Sequence, residues 1–331
     1  VRAPEPIAVI GAGAWGTALA NAAAATGAPV LLWGRDPDQV DDIARRRENM
    51  RHLPGIALHP GVRPSASLVE CAQAGIVLLV VPAQAVRGMA QALALVLPHG
   101  TPVIVCAKGI ERGTGLFMTQ VIADAAPGLV PAILSGPSFA QDVATGLPTA
   151  VTLAAAQGEM AARLATSLTS ASLRLYHTDD LRGVEIGGAA KNVLAIAAGL
   201  VAGRGLGESA KAALIARGFA ELSRFARAWG GRSETLMGLS GLGDLILTCG
   251  SDKSRNYATG LRLGAGEPLP PSGSGPLAEG VTTAPVLIDM ARTRGIDMPI
   301  AGAVAAILSG ALELDEAVSQ LMSRPTRAEH G

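Results

Sequence analysis

Aromatic side chains are scarce in this chain of 331 residues: 4 Phe, 3 Trp and 2 Tyr make up 3% of it. A core without large rings has to be filled with Ala, Leu, Val and Ile, which suits helices packed closely on a sheet. Cysteine is equally sparse. Cys71, Cys106 and Cys249 are far apart and form no C-x-x-C pair. That excludes a zinc-finger pattern and a disulfide framework, and predicts reduced thiols in a cytoplasmic protein. Net charge is also missing, since 27 Lys and Arg balance 27 Asp and Glu. No overall attraction to nucleic acid or to an anionic membrane is expected, so an anionic ligand must be held by local cations. No His or carboxylate cluster suggests a metal site. Residues 1–6 run into a strand pattern that fits no signal peptide. The apolar stretch 184–203 contains Glu185, Lys191, Asn192 and several glycines, so no membrane insertion is expected.

What the chain does have is β-α alternation in its first half and Ala/Leu/Gly-rich helical patterns in its second. Strands are expected at 7–10, 29–33, 76–81, 103–107, 132–134, 150–154 and 173–176, with helices at 15–26, 38–47, 84–97 and 116–125. The run Val77-Leu78-Leu79-Val80-Val81 shows no polar alternation, as befits a strand covered on both faces. After residue 181 the pattern predicts helices at 183–202, 209–229, 233–237, 254–263, 282–294, 300–308 and 314–323. The expected architecture is α/β, an N-terminal doubly wound Rossmann-type sheet followed by an all-helical C-terminal domain. The expected domains are 1–178 and 179–331. The Pro/Gly/Ser-rich stretch 264–276 predicts a mobile loop.

The first chemical signal is Gly11-Ala12-Gly13-Ala14-Trp15-Gly16, set between an apolar strand and an Ala-rich helix. Gly11 permits the turn, Gly13 lets backbone approach a pyrophosphate, and Gly16 lets helix and strand pack closely. About 20 residues further on come Arg35, suited to the 2′-phosphate of NADP, and Asp36, suited to the ribose hydroxyl of NAD. NADP is favoured, with NAD as a possible second substrate.

Four further clusters follow. Lys108 lies just beyond a strand, where an open sheet binds ligands; a solvated loop lysine reads equally well. Ser135-Gly136-Pro137-Ser138-Phe139-Ala140 leads into a helix with Ser138 in its first turn, which a capped helix alone also explains. Lys191 lies in a helix of small apolar residues, where desolvation lowers an ammonium pKa and suits it to proton transfer; a lysine on the one exposed stripe of that helix is the alternative. Asp244 follows a Gly-rich turn, and Ser254 can cap a helix whose Arg255, Asn256 and free N–H groups would hold an anion; a plain capped helix is the alternative.

Taken in order, these stretches resemble bacterial-type NAD(P)-dependent glycerol-3-phosphate dehydrogenase over 7–322. The carrying motifs are GAGAWGTALA (11–20), LLWGRD (31–36), AKGIE (107–111), SGPSFA (135–140), GGAAKNVLAIAAG (187–199), ARGFAE (216–221), GLSGLGDLILTC (238–249), SRN (254–256), AEG (278–280) and DMPI (297–300). The resemblance implies reversible reduction of dihydroxyacetone phosphate to sn-glycerol 3-phosphate, supplying glycerophospholipid synthesis. It implies that Lys191 moves the proton. Lys108, Gly136, Ser138, Asp244, Ser254, Arg255 and Asn256 would line the substrate. Gly11, Gly13, Ala14, Trp15, Gly16, Arg35, Lys108, Ala140, Arg255, Leu277 and Glu279 would touch the cofactor. Gln141 and Asp142 stand where the family commonly has Lys and Glu, and 263–279 lacks the family's usual helical segment. The expected partner is a small-molecule substrate; a homodimer is the expected assembly, with a monomer the alternative. The competing readings are another two-domain dehydrogenase of a small acid or imine, and a dinucleotide sensor without turnover.

Overall fold

The computed structural model describes residues 4–269 and 278–325. Its strands are β1 (Ile7–Ile10), β2 (Val30–Trp33), β3 (Glu48–Asn49), β4 (Leu53–Ala57), β5 (Val62–Ser65), β6 (Ile76–Leu79), β7 (Pro102–Val105), β8 (Val130–Ser135), β9 (Thr149–Ala155) and β10 (Leu173–Thr178). Helices in the first half are α1 (Ala14–Ala24), α2 (Pro37–Arg46), α3 (Val86–Ala94), α4 (Met118–Ala125), α5 (Ala140–Ala144) and α6 (Gly158–Leu168). The second half contributes α7 (Leu181–Gly203), α8 (Glu208–Ala228), α9 (Ser233–Leu236), α10 (Asp244–Cys249), α11 (Arg255–Gly264), α12 (Glu279–Thr293), α13 (Pro299–Leu308) and α14 (Leu314–Met322).

Eight strands form one sheet in the order β10-β9-β8-β7-β6-β1-β2-β5. All neighbours run parallel except β8 and β9. Alternate residues of the same strands enter different cores. Ile7, Val9, Leu32 and Leu78 pack on one face, and Ala8, Ile10, Leu31 and Leu79 on the other. Both faces are apolar, which is why these strands read as unbroken hydrophobic runs.

Several short elements were not expected from sequence. The edge strand β5 carries Pro64, which a sheet tolerates at its margin. The β3–β4 hairpin and the helices α6 and α10 are likewise not expected from sequence, and α5 is expected but begins later, at Ala140. In the expected 84–97 helix, a 3₁₀ turn at Ala83–Ala85 precedes α3. α12 begins at Glu279, three residues earlier than its apolar periodicity suggests. Of the expected 264–276 loop, 270–276 lies outside the described residues.

The helical half is built around α7, buried continuously from Gly183 to Val201. It is long and apolar enough to cross a membrane by composition, but its most apolar window is 89% buried against its neighbours. The glycines explain its closest neighbour. A β-carbon on Gly199 would lie 2.2 Å from the Tyr257 carbonyl oxygen, and one on Gly260 would lie 2.1 Å from that of Ile196. α7 and α11 therefore cross backbone against backbone. Beneath the N-terminal end of α7, the buried Glu185 accepts from the Thr119 amide at 2.8 Å and from Arg182 at 2.9 Å. The Arg182 guanidinium lies 4.1 Å over the Phe117 ring, so the long helix is tied to α4 of the sheet half.

Candidate active site

The glycine turn leaves the carboxyl end of β1 beside that of β6. Gly11 has φ +125, and a β-carbon there would fall 2.3 Å from the Val80 carbonyl oxygen. A β-carbon on Gly16 would meet the Gly11 carbonyl oxygen at 1.8 Å, so helix and turn touch directly. Gly13 is different: nothing lies within 4 Å of the position its β-carbon would take. It opens on free space at the N-terminus of α1, which has no side-chain cap and no acid in its first turn. Backbone N–H groups, the helix dipole and an absent side chain together fit a dinucleotide pyrophosphate. Ala14 and Trp15 form the first turn of α1, and Ala140 opens α5, which packs on α1.

Arg35 is exposed after β2. Asp36 is the N-cap of α2; its Oδ1 accepts the amides of Asp38 and Gln39, and its Oδ2 pairs with Arg51. The acid that the NAD alternative assigns to the ribose is thus occupied by the protein itself.

The reactive cluster lies where the sheet half meets α7 and α10. A widened helical turn, Leu239–Gly243, delivers Asp244 to the start of α10. One carboxylate oxygen accepts from Lys108 Nζ and the other from Lys191 Nζ, each at 2.7 Å. Lys191 also donates to the Thr248 hydroxyl, which in turn donates to Asp244 Oδ1 at 3.2 Å. The Lys191 side chain is 6% exposed and the Asp244 side chain 2%. Burial pulls the Lys191 ammonium down to about 8, Lys108 adds to the shift, and Asp244 opposes it. Burial would raise the Asp244 carboxyl, but the two ammonium groups outweigh it and hold it below the ordinary carboxylate range. Two cations on one anion leave the pocket a net positive charge.

Lys108 Nζ also donates to the Gly136 carbonyl at 3.0 Å, and the same oxygen accepts from Ser138 Oγ at 3.1 Å. That contact holds 136–138 as a turn. Ser138 consequently precedes the helix rather than lying in its first turn; α5 begins at Ala140 with Phe139 as its N-cap.

Side-chain amides join these pieces. Asn192 donates to the Lys108 carbonyl at 3.1 Å and accepts from Asn256 at 2.9 Å; Asn256 accepts from the Gly280 amide at 2.9 Å. Asn256 is therefore turned inward as a brace, whereas Arg255 is exposed on the first turn of α11. Ser254 caps that helix by accepting the Tyr257 amide. Glu279 reaches across to the Ala83 amide at 3.1 Å; burial pushes its carboxyl up, against the Ala83 N–H and the Arg255 charge. Leu277 lies outside the described residues. Among those described, no group of three or more His, Cys, Asp or Glu side chains could hold a metal ion. Sequence reasoning missed Thr248, although it follows Asp244 by one helical turn and so shares its face.

A doubly wound dinucleotide fold joined to a helical half, with a buried, carboxylate-paired lysine at their junction, is the layout of a two-domain nicotinamide-dependent dehydrogenase. Family models describe the closer relationship: the N-terminus of NAD-dependent glycerol-3-phosphate dehydrogenase matches residues 6–161 and its C-terminus matches 180–319. The chain belongs to this family. It is 62% identical over 325 residues to glycerol-3-phosphate dehydrogenase [NAD(P)+] of Azorhizobium caulinodans, covering 98% of each chain. The enzyme of the same name from a Bradyrhizobium species shows the same identity and coverage. The crystal structure of glycerol-3-phosphate dehydrogenase from Coxiella burnetii superposes with a TM-score of 0.92 at 36% identity, covering 98% of this chain and 100% of that one.

Proposed function

We propose that the protein catalyses the reversible NAD(P)H-dependent reduction of dihydroxyacetone phosphate to sn-glycerol 3-phosphate, in the cytoplasm and in support of glycerophospholipid synthesis. The observation that carries the reading is the Lys108–Asp244–Lys191 cluster, two ammonium groups on one buried carboxylate where the sheet half meets the helical half. When bound, the nicotinamide supplies the hydride. The protein supplies the rest. Negative charge grows on the substrate oxygen as its carbon is reduced, and a preorganised ammonium pair stabilises that charge. Lys191 then gives its proton to the oxygen, and takes it back in the oxidative direction. Asp244 and Thr248 fix the direction of the Lys191 N–H bonds. Lys108, Gly136 and Ser138 line the substrate.

The N-terminus of α11, with Arg255 exposed and Ser254 as cap, is assigned to the substrate phosphate. Asn256 positions that turn through Asn192. The glycine turn, Ala14, Trp15, Ala140, Arg255, Leu277 and Glu279 are assigned to the cofactor, with Arg35 at the adenosine end. NADP is preferred over NAD because Asp36 is already engaged. The long apolar helix α7 is covered by its neighbours, so no membrane insertion is proposed, and a homodimer is the assembly to test against a monomer. Oxidation of NADPH on addition of dihydroxyacetone phosphate tests the activity; a protein that binds NADPH but never turns it over would instead be a sensor.

A further inference from the structure

The β3–β4 hairpin lies between α2 and β5, and its position is fixed from below. Asn49, buried at the end of β3, donates to the Ala12 carbonyl at 3.0 Å and to the Thr17 hydroxyl at 2.8 Å. Gln39 of α2 donates to the same Ala12 carbonyl at 2.9 Å. The hairpin and the start of α2 are therefore both tied to the glycine turn. Two residues past Asn49, the hairpin tip presents Arg51, and its Nη1 lies 3.2 Å from Asp36 Oδ2. The side chain remains 65% exposed. Arg35 stands next to Asp36, also exposed.

The corner beyond β2 is where a dinucleotide fold holds its adenosine ribose. An acid there accepts the 2′-hydroxyl of NAD, and a cation there accepts the 2′-phosphate of NADP. Here the acid is doubly engaged. Asp36 Oδ1 caps α2, and Arg51 neutralises Oδ2. At this corner two exposed guanidiniums from separate elements, Arg35 on the β2–α2 link and Arg51 on the hairpin, flank a half-exposed Asp36 carboxylate whose oxygens are both engaged. Two forked donors suit a phosphate dianion, and each can bind it through paired N–H groups.

The geometry points to Arg51 as a specificity-determining residue, which masks Asp36 and joins Arg35 to form the subsite for an adenosine 2′-phosphate. The inference deepens the NADP preference proposed above and rests on it. Arg51 exchanges its ion pair with Asp36 for the phosphate, and Arg35 holds the opposite side of the group. Without Arg51 the Asp36 carboxylate faces the subsite bare, which repels a phosphate and accepts a ribose hydroxyl.

The test measures binding by calorimetry, independently of turnover, with 2′-phospho-ADP-ribose and ADP-ribose as probes. Wild-type protein is expected to bind the phosphorylated probe more tightly. Arg51→Ala is expected to weaken that probe about tenfold or more, the value of one lost charge-assisted contact. ADP-ribose should change less than about threefold or bind more tightly. Arg51→Lys, which keeps the charge, should recover part of the loss. Asp36→Asn keeps a helix cap and removes the repelling charge, so the phosphorylated probe should bind more tightly. If wild type prefers the phosphorylated probe and Arg51→Ala leaves both affinities unchanged, the role of Arg51 is overturned alone. If wild type prefers ADP-ribose, the NADP preference falls and the role of Arg51 falls with it.

Discussion

Lys108 and Lys191 share a single carboxylate, each 2.7 Å from a different oxygen of Asp244. Lys108 comes from the loop after β7 and Lys191 from the middle of α7, so Asp244 is one of the links between the sheet half and the helical half. Removing that anion changes the proton affinity of Lys191 in a definite direction. Burial pulls the Lys191 ammonium down to about 8, with Asp244 opposing the shift. Carbonyl reduction needs the ammonium, so kcat/KM for dihydroxyacetone phosphate is expected to fall as pH rises through about 8. Oxidation needs the free amine and should rise through the same range. Asp244→Asn should move both limbs to lower pH, besides lowering kcat. pH profiles in both directions check this; limbs that stay in place or move upward would contradict it.

Arg255 lies at the start of α11 with its side chain exposed, whereas its neighbour Asn256 is buried in hydrogen bonds. Arg255→Ala should therefore act mainly on binding of the phosphorylated substrate, raising KM by about tenfold to a hundredfold. Asn256→Ala should lower kcat as well, since it unties Asn192 from the N-terminus of α12. Steady-state kinetics of the two variants separate these effects.

The crossing of α7 and α11 leaves no room for a methyl group. In Gly260→Ala the new carbon would sit 2.1 Å from the Ile196 carbonyl oxygen, an overlap with backbone that no rotamer relieves. A loss on the order of 3 kcal/mol is expected, with a lower Tm. Gly302 in α13 is the control. The nearest atom to its added carbon is 4.0 Å away, so Gly302→Ala should be neutral or stabilising by about 0.5 kcal/mol. Thermal melts of the two variants give the comparison.

Glu221 on α8 accepts the amides of Ile300 and Ala301 at the start of α13, at 2.8 and 3.2 Å. Burial pushes its carboxyl up to about 7; the two amides and Arg224 pull against that, and Asp297 adds to it. The folded chain thus keeps a proton that the unfolded chain has already lost. The contribution to stability is fully present below the unfolded pKa, near 4.3, and is lost as pH rises through about 7. The loss is on the order of 3 kcal/mol. Glu221→Gln should flatten this part of the curve, measured as urea midpoints across that range.

The glycine turn, the main parallel strands and the buried helix with its lysine were legible because each carries a local signal. Three glycines at fixed spacing have one economical explanation, and strands covered on both faces lose their polar alternation. The contacts that assemble the site left no such mark. Nothing around Asp36 announces that Arg51 will neutralise it, because that pairing depends on Asn49 tying the hairpin to Ala12. The inward turn of Asn256 follows from partners on α7 and α12, far away in the chain. Gly-Pro-Ser reads as a helix start at Ser138, but a turn around the Gly136 carbonyl displaces that start to Ala140. The glycines of α7 and α11 were visible as composition, and their pairing required the crossing itself.

If Lys191 moves the proton, its loss should spare a cofactor site built on the glycine turn. Lys191→Ala tests this directly, by measuring NADPH oxidation with dihydroxyacetone phosphate alongside NADPH affinity. Turnover is expected to fall by about a thousandfold or more while NADPH still binds as in the wild type. A variant that retains most of its turnover would contradict the account.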